Sequence, residues 1–313
     1  MLHVVESTRH GYPFVSIVIP TLNRKDDILK CLQSLSRLEY PKGNMEVIIR
    51  DNGSTDGTQE EIGRLFKNMK REGWYRLNLI ASDENLGVYT SRDELLKQIR
   101  PEANYVLSLD DDVFLPSDSL ITLLGRIEEY PKAGIIGPRT VYEMNPHKTA
   151  HGAGFVNLWL GKYSDIDSEE LTECDYVIGC CMLIRKQVIS AVEGFDRDYY
   201  TSHGEVDFCL KVKELGYKVL YDPEIVVRHN VNIGGTKTSE RLYYIFRNKF
   251  LVIKKNAPFP HRIFSIFIHI IFVSTKNFLQ SLFRKNEISE AKIVLLALFD
   301  GITNRVGKTS RKF

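Results

Sequence analysis

Three consecutive aspartates, Asp110, Asp111 and Asp112, follow directly on the mostly apolar run Tyr105 to Leu109. Carboxylates this close raise one another's pKa, so the triplet is unfavourable unless something positive is bound. A hard divalent cation with oxygen ligands, Mg²⁺ or Mn²⁺, shared with a substrate phosphate, is the natural neutraliser. The competing reading is a solvated acidic loop that caps the next helix. A second pair of acids, Glu205 and Asp207, lies in the stretch His203 to Gly216, where each either caps a helix or acts as a base. His229 ends a later apolar stretch just ahead of the glycine-containing loop 230–236, as a metal ligand or as an ordinary hydrogen-bonded histidine. Asp51 opens the run Asp51-Asn52-Gly53-Ser54, where it accepts from a ribose or base, or simply starts an Asx-turn.

The elements that position these groups can be read from hydrophobic periodicity. Phe14 to Ile19 and Tyr105 to Leu109 read as buried strands, and Glu46 to Ile49 and Leu77 to Ile80 as strands between them. Each of the first three is followed by turn formers and a helix, with apolar faces at Ile28, Leu29, Leu32 and Leu35, at Ile62, Leu65 and Phe66, and at Leu95, Leu96 and Ile99. This alternation predicts an open, twisted, mostly parallel α/β sheet, whose strand ends are where such sheets bind ligands. The aspartate triplet falls at one of those ends.

Beyond it the pattern is less regular. A helix at Leu120 to Leu124, a short strand at Ile135-Ile136, a hairpin or substrate loop at His151 to Phe155, and a buried strand from Tyr176 to Ile184 are expected. A helix around Val188 to Val192 follows. Phe208, Val212 and Leu215 mark another, stopped by Gly216, and two strands, Tyr217 to Tyr221 and Ile225 to Val227, then deliver His229.

The 313 residues suffice for one large domain with an appendage. The net charge of +2 hides a division, since Arg241 to Phe313 holds 14 Lys+Arg against 3 Asp+Glu, leaving residues 1–240 at about −9. Five cysteines without a regular framework point to a reducing compartment, and adjacent Cys180 and Cys181 read as buried small hydrophobes. The first ten residues lack the apolar core of a signal peptide. Neither a G-x-G-x-x-G nor a G-x-x-x-x-G-K-[ST] run occurs, which argues against a dinucleotide oxidoreductase and a P-loop NTPase.

Taken in order, Ser16 to Arg24 (SIVIPTLNR), Val47 to Thr58 (VIIRDNGSTDGT), the aspartate triplet, Gly194-Phe195-Asp196, Gly204-Glu205-Val206-Asp207 and His229 resemble the family 2 glycosyltransferases of the GT-A fold. Within that family they are most similar to the rhamnosyltransferase-like branch. The resemblance covers about residues 14–255. It implies an inverting, metal-dependent enzyme that moves a sugar from a nucleoside-diphosphate donor, such as dTDP-rhamnose, to a glycan or lipid-linked glycan. The implied nucleoside pocket is Pro20, Thr21, Asn23 and Asp51, with Arg92 near the nucleotide. Asp110 and Asp111 fall to the ribose and sugar-phosphate end, and Asp112 and His229 to the metal. The family's Glu-Asp-x-Asp is here Gly204-Glu205-Val206-Asp207, so the base is Glu205 or Asp207, with Glu205 in the customary aspartate's place. A UDP-sugar donor (galactofuranose, glucose or N-acetylglucosamine) and a non-catalytic nucleotide-sugar-binding scaffold subunit are the alternatives.

The expected organisation is an arm at 1–13, a nucleotide-sugar-binding half at 14–116, an acceptor-binding half at 117–240 and a basic helical tail at 241–313. In the tail, Ile263 to Val273 is an 11-residue apolar run, and Ile293 to Phe299 is another short one. At about 1.5 Å per residue the first spans roughly half of a bilayer's hydrocarbon, so it cannot cross. Apolar faces flanked by Lys and Arg suit an anionic membrane surface, placing the protein in the cytoplasm on the inner face of the cell membrane. The competing reading packs the tail on the core or on a second copy in a homodimer. No nucleic-acid-binding motif accompanies the basic residues.

Overall fold

The structure is a computed structural model that describes residues 11–231, 238–268 and 288–313. Most of the N-terminal arm, most of the loop 230–236 and the end of the apolar run 263–273 therefore lie outside the described residues.

The first half alternates as its sequence predicts. Strands β1 (Val15–Thr21), β2 (Met45–Asp51), β3 (Arg76–Ala81) and β4 (Tyr105–Leu109) are parallel neighbours in the order β3-β2-β1-β4. Helices α1 (Lys25–Ser36), α2 (Thr58–Met69) and α3 (Val88–Leu96) connect them. β1 and β4 are buried at every position, which is why they read as continuous apolar runs rather than alternating ones. One face packs on Ile28, Leu32 and Leu35 of α1 and Ile62 of α2, the other on Leu95 of α3.

β4 stops at Leu109 because three carboxylates cannot continue into an apolar core. The chain turns and forms the two-residue strand β5 (Val113–Phe114), then α4 (Ser119–Glu129). From here the sheet is mixed. β6 (Ala133–Tyr142), β7 (Asn145–His151), β8 (Ala153–Asn157), β9 (Lys162–Ile166), β10 (Thr172–Cys174) and β11 (Cys181–Arg185) lead to α5 (Lys186–Val192), α6 (Gly204–Glu214) and β12 (Lys218–His229). β11 inserts antiparallel between β4 and β6, and β12 pairs parallel with β6 and antiparallel with β5.

Three expectations change in detail. The two strands expected at 217–221 and 225–227 are one, β12, whose register shifts between Asp222 and Val226. Of the run Tyr176 to Ile184 only the end is strand; Tyr176 makes an isolated bridge to Gly154, and the carbonyl of Gly179 accepts from Arg92 instead of a neighbouring strand. His151 to Phe155 is the end of β7 followed by β8, and the hairpin proper is β8–β9 with Trp159 and Leu160 in its turn.

After β12 comes α7 (Ser239–Asn256), then α8 (His261–Ile268) and α9 (Ile288–Ile302). α9 packs on α7, burying Ile293, Val294, Ala297 and Leu298 against Tyr243, Tyr244 and Phe250. This part of the tail belongs to the fold. By contrast α8 leaves Ile263, Phe264 and Phe267 exposed. Among the described residues no helix is long and apolar enough to cross a membrane.

Candidate active site

A cleft of about 550 Å³ opens over the carboxyl ends of β1, β2 and β4. Pro20 and Thr21 line it from β1, Asn52 follows β2, and Asp110, Asp111 and Asp112 lie beyond β4. Gly87 and Val88 contribute the amino end of α3, and Tyr244 of α7 stacks on Tyr200 at the rim. Gly87 has a left-handed φ of +80°, and a Cβ there would come within 2.4 Å of Tyr200, so the tight entry to α3 requires glycine.

The three aspartates have different partners. Asp111 is buried and accepts from Thr21 Oγ1 at 2.6 Å. Burial, reinforced by Asp112, pushes its pKa up to about 8 against that hydrogen bond. Asp110 accepts from Nη2 of the fully buried Arg92; burial still raises its pKa, Arg92 opposing and Asp112 adding to the rise. Asp112 is held by backbone, its carbonyl accepting from Asn230 N at 2.9 Å. The β5–β12 pairing sets His229 opposite Val113, bringing His229 Nε2 within 3.0 Å of Asp112 Oδ1. One ligand atom each of Asp110, Asp112 and His229 all lie within 4.8 Å of one another. Two carboxylates and an imidazole in such a cluster fit a divalent cation, with Asp110 joining the pair expected from the sequence. Arg24 Nη1 lies 3.5 Å from Asp112 Oδ2; in the sequence it closes the run Ser16 to Arg24, just after the β1 turn.

Glu205 sits on the far side of Arg92. α6 starts at Gly204, and Glu205 in its first turn is 7 % exposed. Its Oε2 accepts a short hydrogen bond from the Tyr89 hydroxyl. Burial raises the Glu205 pKa, with Tyr89 and the Arg92 guanidinium pulling the other way. Tyr89 carries no mark in the sequence. Its ring explains the glycine before Glu205, because a Cβ on residue 204 would lie 2.5 Å from that ring. Gly179 is confined likewise, a Cβ there falling 2.9 Å from Arg92 Nη1 and 3.2 Å from Glu205 Cβ.

The remaining predicted residues lie apart from this group. Asp207 is fully buried and bonded to Tyr199, Asn256 and Lys211. Asp51 is also fully buried, and its carboxylate accepts from the side chains of Ser54 and Gln59 and from Ser54 N at 3.1 Å. Asn23 is exposed and ties the β1 turn to the β2 loop, accepting from Thr55 N and donating to Ser54 Oγ, both at 2.8 Å. All five cysteines are buried and free.

Comparison with known proteins agrees with this arrangement. The model of the glycosyl transferase family 2 matches residues 16–192. Glycosyltransferase AglE of Haloferax volcanii is 26 % identical over 231 residues, which is 69 % of this chain and 67 % of AglE. The N-acetylglucosaminyl-diphospho-decaprenol L-rhamnosyltransferase of Mycobacterium tuberculosis is 24 % identical over 59 % of this chain and 66 % of its own length. The chain thus spans about two thirds of these curated relatives. Among solved structures, the mannosyltransferase PcManGT of Pyrobaculum calidifontis, in complex with GDP-Man and Mn²⁺, superposes with a TM-score of 0.61 at 15 % identity, over 95 % of this chain and 89 % of that one. At that identity the likeness speaks for the fold, which is GT-A.

Proposed function

The chain belongs to glycosyl transferase family 2, and on that premise we propose that it is an inverting enzyme that moves a sugar from a nucleoside diphosphate to a hydroxyl of a lipid-linked or growing surface glycan. The observation that carries this reading is the adjacency of two chemically different carboxylate groups. The Asp110–Asp112–His229 cluster suits a cation and a diphosphate, and Arg92 separates it from a single buried carboxylate, Glu205. dTDP-rhamnose is the donor favoured by the rhamnosyltransferase-like motifs and by the mycobacterial relative. A UDP-sugar serves the same chemistry. Residues 14–116 supply most of the donor side, joined there by His229, and residues 117–240 carry Glu205 on the acceptor side.

In the proposed mechanism Glu205 accepts the proton of the acceptor hydroxyl as its oxygen attacks the anomeric carbon. The new carbon–oxygen bond forms on the face opposite the breaking bond, whose electron pair leaves with the diphosphate. One base and one in-line displacement invert the anomeric centre. Asp110, Asp112 and His229 would hold Mg²⁺ or Mn²⁺, which supplies Lewis-acid neutralisation of the charge gathering on the diphosphate. Thr21 orients Asp111 towards the donor side, and Arg92 fixes Asp110. Asp207, engaged by three partners, anchors α6 and leaves the base role to Glu205.

Glu205→Gln keeps the shape of the side chain and removes the base. Nucleoside-diphosphate binding should persist while transfer falls by about 10²–10⁴. Full transfer activity in this variant would rule out Glu205 as the base, and a wild-type protein that binds nucleotide but transfers nothing would favour the scaffold reading. The exposed apolar residues of α8 and the basic charge of residues 241–313 support a peripheral position on the anionic inner face of the membrane, where a lipid-linked acceptor is presented.

A further inference from the structure

Over the ring of Tyr163, a residue that faces Glu205, lies a cation that does not line the donor cleft. Lys249 of α7 places its ammonium 5.0 Å from the centroid of the Tyr163 ring. Among the described residues no carboxylate or carbonyl pairs with it, and burial pulls its pKa down. Other lysines of α7 are satisfied. Lys255 bonds Asp196 and Asp198, and Lys254 reaches the carbonyls of Gly301 and Ile302 and the side chain of Asn304.

Among the described residues, two more polar atoms near Lys249 lack hydrogen-bond partners. The Tyr163 ring is half-buried, yet its hydroxyl is sealed from solvent and bonds to none of them; the same holds for His203 Nδ1. The two rings meet edge to face at 5.2 Å. Burial and the Lys249 charge push the His203 pKa down to about 3, so its imidazole is neutral near pH 7. A largely buried ammonium with two unused polar groups around it is costly as it stands. An anion would satisfy all three, with Lys249 as the charge and the hydroxyl and imidazole as hydrogen-bonding groups.

The location narrows the anion. His203 immediately precedes α6, two residues before Glu205, so an anion here sits next to the acceptor hydroxyl rather than in the donor cleft, which neither Lys249 nor His203 lines. Tyr163 belongs to the β8–β9 hairpin, and the turn of that hairpin exposes Trp159 and Leu160. Trp159 stands edge-on to Phe264 of α8 at 6.1 Å, continuing into the exposed Ile263 and Phe267. The base, a cation held only over an aromatic ring among the described residues, and an apolar surface thus correspond to the hydroxyl, phosphate and hydrocarbon of a phosphate-linked lipid.

We propose that Lys249, with Tyr163 and His203, forms a subsite for the phosphate of an amphiphilic, phosphate-bearing acceptor. This rests on Glu205 marking the acceptor side. The test uses the full chain, saturated with Mn²⁺ and whichever of UDP, dTDP or GDP it binds, titrated with octyl phosphate, inorganic phosphate and octyl glucoside. Octyl phosphate should bind Lys249→Gln at least about tenfold more weakly than wild type, and Lys249→Arg within about threefold of it. Octyl glucoside should not distinguish the three proteins. Equal octyl phosphate affinity in wild type and Lys249→Gln overturns the subsite, and inorganic phosphate binding as tightly as octyl phosphate overturns the amphiphilic acceptor. Nucleotide affinity of Lys249→Gln should match wild type and its melting temperature should be no lower, which confirms an intact fold. Absence of nucleotide binding in wild type would count against the transferase reading instead, and the octyl phosphate titration would still decide the subsite.

Discussion

Tyr89 shows how a single contact governs the proposed base. Glu205 must be ionised to take a proton, so the acid limb of the kcat/KM profile follows its pKa, which burial has raised above the ordinary value of about 4.3. The Tyr89 hydroxyl donates to the ionised form and holds that pKa down. Other groups facing Glu205 are Arg92 on α3, Asp110 beyond β4, Tyr163 on β9, and Tyr176 and Cys209. Tyr89→Phe should therefore move the acid limb to higher pH and lower kcat by about tenfold, with donor KM little changed. A variant that loses melting temperature but keeps the wild-type limb would reduce Tyr89 to a packing residue. The aspartate triplet, Glu205 and His229 were legible in the sequence because charged or titratable groups next to apolar runs stand out. Tyr89 was not, because its role depends on a partner 116 residues away. Lys249 was lost among the basic residues of the tail until the partners of Lys254 and Lys255 could be seen.

At the scale of elements, periodicity was a good guide where a strand or helix faces one environment throughout. β1 and β4 are buried throughout, α1 and α2 each keep one continuous face on the core, and the sequence predicted them; the third helix ends at Leu96, short of the expected Ile99. It was a weaker guide in the second half. β6 continues through Gly137 and Pro138, and β12 absorbs a register shift that reads in sequence as a break. The two apolar segments of the tail look alike in sequence but differ in what they meet. α9 buries its face on α7, whereas the described face of α8 remains open beside the β8–β9 turn. The membrane docking proposed above would therefore act through α8. A Phe264→Ser, Phe267→Ser double variant should lose several-fold or more of its retention on phosphatidylglycerol vesicles, since each buried Phe contributes up to about 1.5–3 kcal/mol. Equal sedimentation of wild type and variant with vesicles would remove α8 from the membrane account.

Over the whole molecule, one mixed sheet brings together groups from distant parts of the chain. Parallel strands of the first half carry Thr21 and the aspartates to one rim, and β12 returns to the same rim with His229. α6 then presents Glu205 against α3. Charge is divided in the same sense, with an acidic catalytic body and a basic C-terminal segment. The most direct test of this account is titration of the purified protein with UDP, dTDP and GDP, with and without Mn²⁺, in wild type and Asp112→Asn. The expected result is binding of one nucleotide that strengthens with Mn²⁺ and loses that dependence in Asp112→Asn, with dTDP indicating a rhamnose donor. Failure of wild type to bind any of the three, with or without Mn²⁺, would contradict a nucleotide-sugar transferase.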